Sequence, residues 1–416
     1  MFTPNFNNIL VVDLETTINA PEPFFGASPA YPHNKVVACG SLHKHRSKKK
    51  QPKVEIEFTD DVDKLSVIKI LNTAAVSGKS GELLLVGHNL SFDLHYILRN
   101  LELLNGVLKN VIIWDTMKFE HMDSNRSRAN PSLEKTANKY GIPFEKDSEV
   151  SERFKLGIGS DKIDRDILKK YLEQDVIVTA KIFKRQLEKC VSNGAAYSNY
   201  MIEMMQPILT TTKMAHHGMP FDVSSAREDV KLLEAELEEH LKEMKRLWGE
   251  HNFNSPAQIK TLLWGGEFKT EELVGKVDLM GTPVLYKSGK RKGERVRVKK
   301  TSTEKVEGLV EKDSVVKSKI DRGGFPQDAS ASTLERLIRY SLAGTPVHMF
   351  CSILLETRKV AKSINTYYKP YIEFTVRLIE TGQGGRIHPS YNHCATSTGR
   401  LSSSKPNMQN ISNKGE

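Results

Sequence analysis

Four acidic residues in three short blocks, Asp13 with Glu15, then Asp93, then Asp175, are the side chains whose spacing could do chemistry. Asp13-Leu14-Glu15 closes the apolar run Ile9-Leu10-Val11-Val12, which reads as a buried strand. Side chains alternate along a strand, so Asp13 and Glu15 project to one side. Asp93 ends Gly87-His88-Asn89-Leu90-Ser91-Phe92-Asp93, just past the apolar stretch Leu83 to Val86. Asp175 lies in a helical pattern with Tyr171 four residues before it, and residues four apart share a helix face. Carboxylates gathered closely repel one another and rise in pKa unless a cation neutralises them. Hard divalent cations with oxygen ligands, Mg²⁺ above all, meet that need. The bland alternative is that Asp13 caps a strand end and Asp175 is one solvated helix acid.

In this order the blocks resemble the Asp-Glu-Asp-Asp family of 3′→5′ exonucleases, in its tyrosine-bearing branch, over roughly residues 5–190. The resemblance implies an α/β ribonuclease H-like domain, a mixed sheet with flanking helices. It also implies that Asp13, Glu15, Asp93 and Asp175 hold two Mg²⁺ (or Mn²⁺) ions while Tyr171 orients the attacking water. Two such ions, about 4 Å apart, activate water and stabilise the leaving 3′ oxygen of an in-line displacement. Asn89 is read as a contact to the terminal nucleotide and His88 as packing. Phe24 and Phe25 have faces suited to single-stranded bases, and loop burial suits them as well. Asp115, acidic and close by, is read as a turn or cap residue.

The chain of 416 residues is too long for one ordinary core, so two or three domains are expected. Its net charge of +10 favours a polyanionic partner. Cys39, Cys190, Cys351 and Cys394 are scattered, with no paired spacing for zinc or a disulfide framework. No apolar run approaches the ~20 residues of a membrane span. Met1 to Asn8 lacks the basic and apolar regions of a signal peptide. A soluble protein of the cytoplasm (the host's, if the source is viral) is expected, with no membrane partner.

Strands are expected at Ile9–Val12, Val36–Leu42, Val54–Phe58, Leu83–Val86 and Val111–Trp114, with helices at Asp63–Ala75, Ser91–Leu104, Ser132–Lys139 and Arg165–Lys189. His43 to Lys50 reads as an exposed basic hairpin tip. After Ser192-Asn193-Gly194 the pattern turns to long helices. Asp222 is expected to cap a helix reaching Trp248, with Leu233, Leu237, Leu241, Met244 and Trp248 as a core-facing stripe. Asn254-Ser255-Pro256 marks another start. A polar segment from about Gly275 to Gly324 follows, and its stretch Lys287–Lys300 carries eight Lys or Arg against Glu294. It reads as a linker or as a tracker of phosphates. Helices are expected from Ser332 to Leu342 and from Val347 to about Ile379.

A second motif runs Gly385-Arg386-Ile387-His388-Pro389-Ser390-Tyr391-Asn392, then Thr398-Gly399-Arg400-Leu401-Ser402-Ser403, then Pro406-Asn407-Met408-Gln409-Asn410. With Gly218 to Asp222, and with Arg358 and Lys362 ahead of Thr366-Tyr367, it resembles family A DNA polymerases, the group of bacterial DNA polymerase I and many phage replicases. The resemblance implies a 3′→5′ exonuclease domain at 1–195, and a mainly α-helical thumb at 196–384 with the basic insertion at 275–324. Residues 385–416 would be the start of an α+β palm. Arg400, Asn407 and Gln409 would meet acceptors in the minor groove of a primer–template duplex. Ser402, Ser403, Arg358 and Lys362 would meet phosphates. The palm aspartates that bind polymerisation metals, and the fingers, follow this motif in the family and cannot be assigned in this sequence. A second polymerase chain or a missing C-terminal part would supply them, the split into two chains being favoured, so the expected partners are that second chain and DNA, as single-stranded 3′ end and as duplex. A stand-alone 3′→5′ exonuclease for DNA repair or RNA trimming, or a non-catalytic DNA-binding subunit, are the competing readings.

Overall fold

In the computed structural model the described residues are 8–45, 52–76, 83–99, 111–144, 148–277, 282–286, 294, 296–320, 325–382 and 384–411. They form two compact units, one of residues 1–223 with 370–416, the other of residues 224–369. The described residues 385–411 thus pack with the N-terminal part of the chain.

The first unit is built on a five-stranded mixed sheet. Its strands are β1 (Asn8–Thr16), β2 (Val36–His45), β3 (Val54–Phe58), β4 (Leu83–Gly87) and β5 (Val111–Asp115). The order is β3-β2-β1-β4-β5. The first three strands pair antiparallel, and β4 and β5 join in parallel. All five expected strands are present, as suits short runs rich in apolar and β-branched residues between polar turns. β4 is buried throughout.

One face of the sheet packs Leu10, Val12, Leu83 and Leu85 against Leu65, Leu71, Leu94, Ile97 and Ile208. The other packs Val11, Leu84, Val86 and Trp114 against Val176, Phe183 and Met205. The long helix on that second side, Arg165–Asn193, lies so close to β2 that a Cβ on Gly40 would stand 2.8 Å from Leu172 and Val176. Trp114 Nε1 donates to Gln186 Oε1 at 2.9 Å, satisfying a polar atom inside this layer. Of the expected helices, Ser66–Val76, Leu133–Lys139 and Arg165–Asn193 are present, and Leu90–Ile97 covers the described start of the one expected to reach Leu104. The basic tip beyond His45 lies outside the described residues. At the other end of the unit, Met219–Pro220 pairs with Arg386–Ile387, and Ser390–Asn392 with Ser402–Ser404.

The second unit holds its own core of Met244, Phe253, Ile259, Leu263, Leu334, Leu337, Phe350 and Leu354. Three expectations need correction there. The stripe of helix Val223–Trp248 is only partly core: Met244 is buried and Leu241 and Trp248 pack on that core, but Leu233 and Leu237 are only half-buried and lie outside it. The helix expected from Val347 to Ile379 is interrupted, running Pro346–Lys362, then a wide π-type turn at Ser363–Tyr368, then Lys369–Ile379. A π-turn needs no Gly or Pro, so nothing in the residue types announces it. The polar segment is not all linker, because Arg297–Val306 pairs antiparallel with Gly266–Gly275, and helices follow at Leu309–Lys312 and Ser314–Ile320. Lys287 and the basic residues up to Gly293 lie outside the described residues.

Candidate active site

Strand alternation sets the site's first element. Leu14 points into the core at 5% exposure, and its neighbours Asp13 and Glu15 stand half-buried on the opposite side. The N–H of Leu14, between them, donates to Asp93 Oδ1 at 2.9 Å, so β1 itself fixes the third acid. Asp93 sits in the first turn of helix Leu90–Ile97 and is buried. Burial pushes its carboxyl well above the usual range. Hydrogen bonds from the backbone oppose this, while Asp115 and Glu15 nearby add to it.

Asp115 is what starts that helix. From the end of β5 its Oδ2 accepts from Leu90 N at 2.9 Å and its Oδ1 from Asn89 N at 3.2 Å. The same Oδ1 accepts from Met117 N and Lys118 N at 2.9 and 3.1 Å, capping helix Thr116–Asp123. The cap role expected of Asp115 is present twice over. His88, read as packing, has Nδ1 2.9 Å from Thr116 Oγ1 and Nε2 3.0 Å from the Pro131 carbonyl.

Helix Arg165–Asn193 brings the last pair. Asp164 caps its N-terminus by accepting from Asp166 N and Ile167 N, and one turn separates the buried Tyr171 from the buried Asp175. The Tyr171 phenol is pushed far up, by burial first, then by Asp175, Glu15 and Asp13, and by a hydrogen bond with Asp175. Cys39 on β2 is raised by burial and then by Glu57, Asp93 and Asp13. Tyr171 thus feels the charges of Asp175, Glu15 and Asp13, and Asp93, tied to β1 by the Leu14 N–H, feels that of Glu15. Sequence order alone could not establish these influences. Ser160, in the turn Ser160–Lys162, donates its hydroxyl to Glu15 Oε2 at 2.9 Å.

The donor set is wholly oxygen, four carboxylates and a phenol, and suits a hard divalent cation. Among the described residues no three His, Cys, Asp or Glu side chains are set out as a ready-made metal cage. The chemistry of the set fits such an ion, because mutual repulsion of buried carboxylates is what a cation would relieve.

Beside the site lies a cavity of about 580 Å³ whose lining includes Phe25, Asn89, Phe92, His95, His388 and Tyr391. Asn89 holds a left-handed φ of 63° and precedes the first turn of the Asp93 helix. Phe24 is buried edge-on against Phe374, with ring centroids 4.9 Å apart, while Phe25 faces the cavity. Phe92, next to Asp93, and His388, inside the second motif, were not singled out from the sequence, although both lie within its marked blocks. Ser160 left no signal there at all.

The residues implied as duplex contacts divide by exposure. Arg400, Asn407, Gln409 and Lys362 are exposed. Ser402 is half-buried, with Oγ 3.5 Å from Asn392 O, and Ser403 is buried, donating to Pro406 O and accepting from Met408 N. Arg358 is half-buried and donates to Ala329 O at 2.6 Å, with burial lowering its pKa. Gly399 has φ +75°, and a Cβ there would lie 2.7 Å from Arg126 Nε, so this turn needs glycine. Among the described residues no helix is long and apolar enough to cross a membrane, and the four cysteines are free and buried.

Residues 291–416 match DNA polymerase family A. The chain is similar to DNA polymerase I of Bacillus subtilis, 23% identical over 59% of this chain and 21% of that protein. It is also similar to DNA polymerase I of Synechocystis sp., 39% identical over 23% of this chain and 8% of that protein. Among solved structures, it shares its fold with the POL domain of Pol1 from M. smegmatis in complex with DNA primer-template and dNTP. That match has a TM-score of 0.56 and 15% identity, covering 99% of this chain and 53% of the other. Residues 291–416 are thus similar to family A DNA polymerases, and the chain spans about half of that solved chain and less of the curated relatives it matches.

Proposed function

We propose that this chain is the proofreading and primer-holding portion of a family A DNA polymerase, a 3′→5′ exonuclease on a ribonuclease H-like fold joined to a thumb and the start of a palm. The observation that carries the reading is the hydrogen bond from Leu14 N–H, between Asp13 and Glu15, to Asp93 Oδ1 at 2.9 Å, with buried Tyr171 and Asp175 one turn apart on a single helix. The sheet order β3-β2-β1-β4-β5, with the acids at the end of β1 and on the helices beside it, supports the fold assignment.

Asp13, Glu15, Asp93 and Asp175 would hold two divalent cations, which supply a metal-activated water and neutralise the leaving 3′ oxygen. Tyr171, kept protonated, holds a hydroxyl at the site to orient the attacking water. Asn89 and the cavity beside it receive the frayed strand, with Phe25 and Phe92 as stacking faces. The exposed Arg400, Asn407 and Gln409 take the duplex side, where minor-groove acceptors vary little with sequence. Lys362 contributes a phosphate contact. The test is digestion of 3′-labelled single-stranded DNA in Mg²⁺ or Mn²⁺ by wild type and Asp13→Ala/Glu15→Ala. Release of mononucleotides by the wild type alone is expected. Equal rates in both proteins would refute the assignment.

A further inference from the structure

We infer that Ser160 is a positioning residue that sets Glu15 for cation binding, an inference that rests on the nuclease reading of the acid set. Its hydroxyl donates to Glu15 Oε2 at 2.9 Å, with the serine 1% exposed and the glutamate half-buried. Bonds from a hydroxyl to a carboxylate are among the stronger protein hydrogen bonds. They fix the orientation of the carboxylate.

The serine is itself held rigidly. Gly159 runs so close to the end of β1 that a Cβ there would lie 3.0 Å from Ile18 N and 3.5 Å from Thr17 Cα. Three residues further on, Ile163 is buried in one cluster with Leu168 and Tyr171. The turn Ser160–Lys162 therefore spans from the strand bearing Asp13 and Glu15 to the helix bearing Tyr171 and Asp175. Partners that orient metal-binding carboxylates and histidines commonly change metal affinity by about 10- to 100-fold when removed.

The experiment is calorimetric titration of the full chain with Mn²⁺ alone, for wild type, Ser160→Ala and Ser160→Thr, with thermal unfolding of each metal-free protein. Expected are Mn²⁺ affinity about tenfold weaker in Ser160→Ala, near-wild-type affinity in Ser160→Thr, and similar unfolding temperatures in all three. Equal affinity in wild type and Ser160→Ala overturns the inference and leaves the nuclease reading standing. Weak binding in both variants accompanied by lowered unfolding temperatures also overturns it, since the role is then merely packing. A wild type that takes up no Mn²⁺ overturns the acid-set reading and this inference together.

Discussion

Replacing Asp115 by alanine removes the acceptor of four backbone N–H groups, those of Asn89, Leu90, Met117 and Lys118. These donors open two helices, so the loss is that of two N-caps at a site 2% exposed. A single cap changed to alanine costs about 0.5–2 kcal/mol. Two together, with little water to replace the acceptor, bring the expected loss to about 3 kcal/mol. Against that, the ionised carboxylate pays for its own burial, which raises its pKa, and this keeps the figure below the sum of four charged hydrogen bonds. Asp115→Asn retains one oxygen but turns an amide N–H₂ toward the remaining donors, and should lose about half as much. Urea unfolding followed by circular dichroism gives both numbers. Because Asp115 seats the helix that carries Asp93, the alanine variant should also lose the proposed nuclease activity at temperatures where it remains folded. A loss of stability under about 1 kcal/mol for Asp115→Ala would show that water replaces the carboxylate and that the double cap does not organise this region.

His393 has Nε2 2.8 Å from Thr211 Oγ1, and burial first, then Lys118, pulls its pKa from 6.5 to about 4. A histidine depressed on folding contributes its full stability above the unfolded pKa and loses it as pH falls toward the folded one. Between pH 6.5 and 4 each unit should cost at most about 1.4 kcal/mol, and His393→Asn should flatten the fall of unfolding temperature over that window. Asp93 and Asp115, raised by burial, act in the opposite direction but equally in both proteins. Parallel profiles would contradict the assignment. Gly399→Ala should cost about 1–2 kcal/mol, from its left-handed backbone and the approach to Arg126, and should weaken primer–template binding by displacing Arg400. In a double-mutant cycle Arg126→Ala should recover part of the lost stability. Strict additivity of the two changes would show that they do not meet.

Much of the scaffold was readable in the residues. Leu83-Leu84-Leu85-Val86 is the buried strand its apolar run suggested, and the helix starts read at Ser132 and Ser255 are N-caps that accept from Lys135 N and Gln258 N. The strand Arg297–Val306 was hidden because its Lys, Thr and Glu carry no apolar alternation. Its pairing with Gly266–Gly275 is decided by the partner strand rather than by its own pattern. The same blindness applies to Leu233 and Leu237, where helical periodicity shows that a face exists but not what covers it.

By itself the sequence determined which chemical groups are present and which faces of their own elements they occupy: Asp13 with Glu15 along one strand, Tyr171 with Asp175 along one helix. Those are local facts, fixed by the periods of strand and helix. Only the tertiary structure decided that Leu14 N–H reaches Asp93, that Asp115 opens two helices, and that Ser160 touches Glu15 across 145 positions. Contacts between residues far apart in the chain depend on how whole layers pack, and no local period encodes that packing.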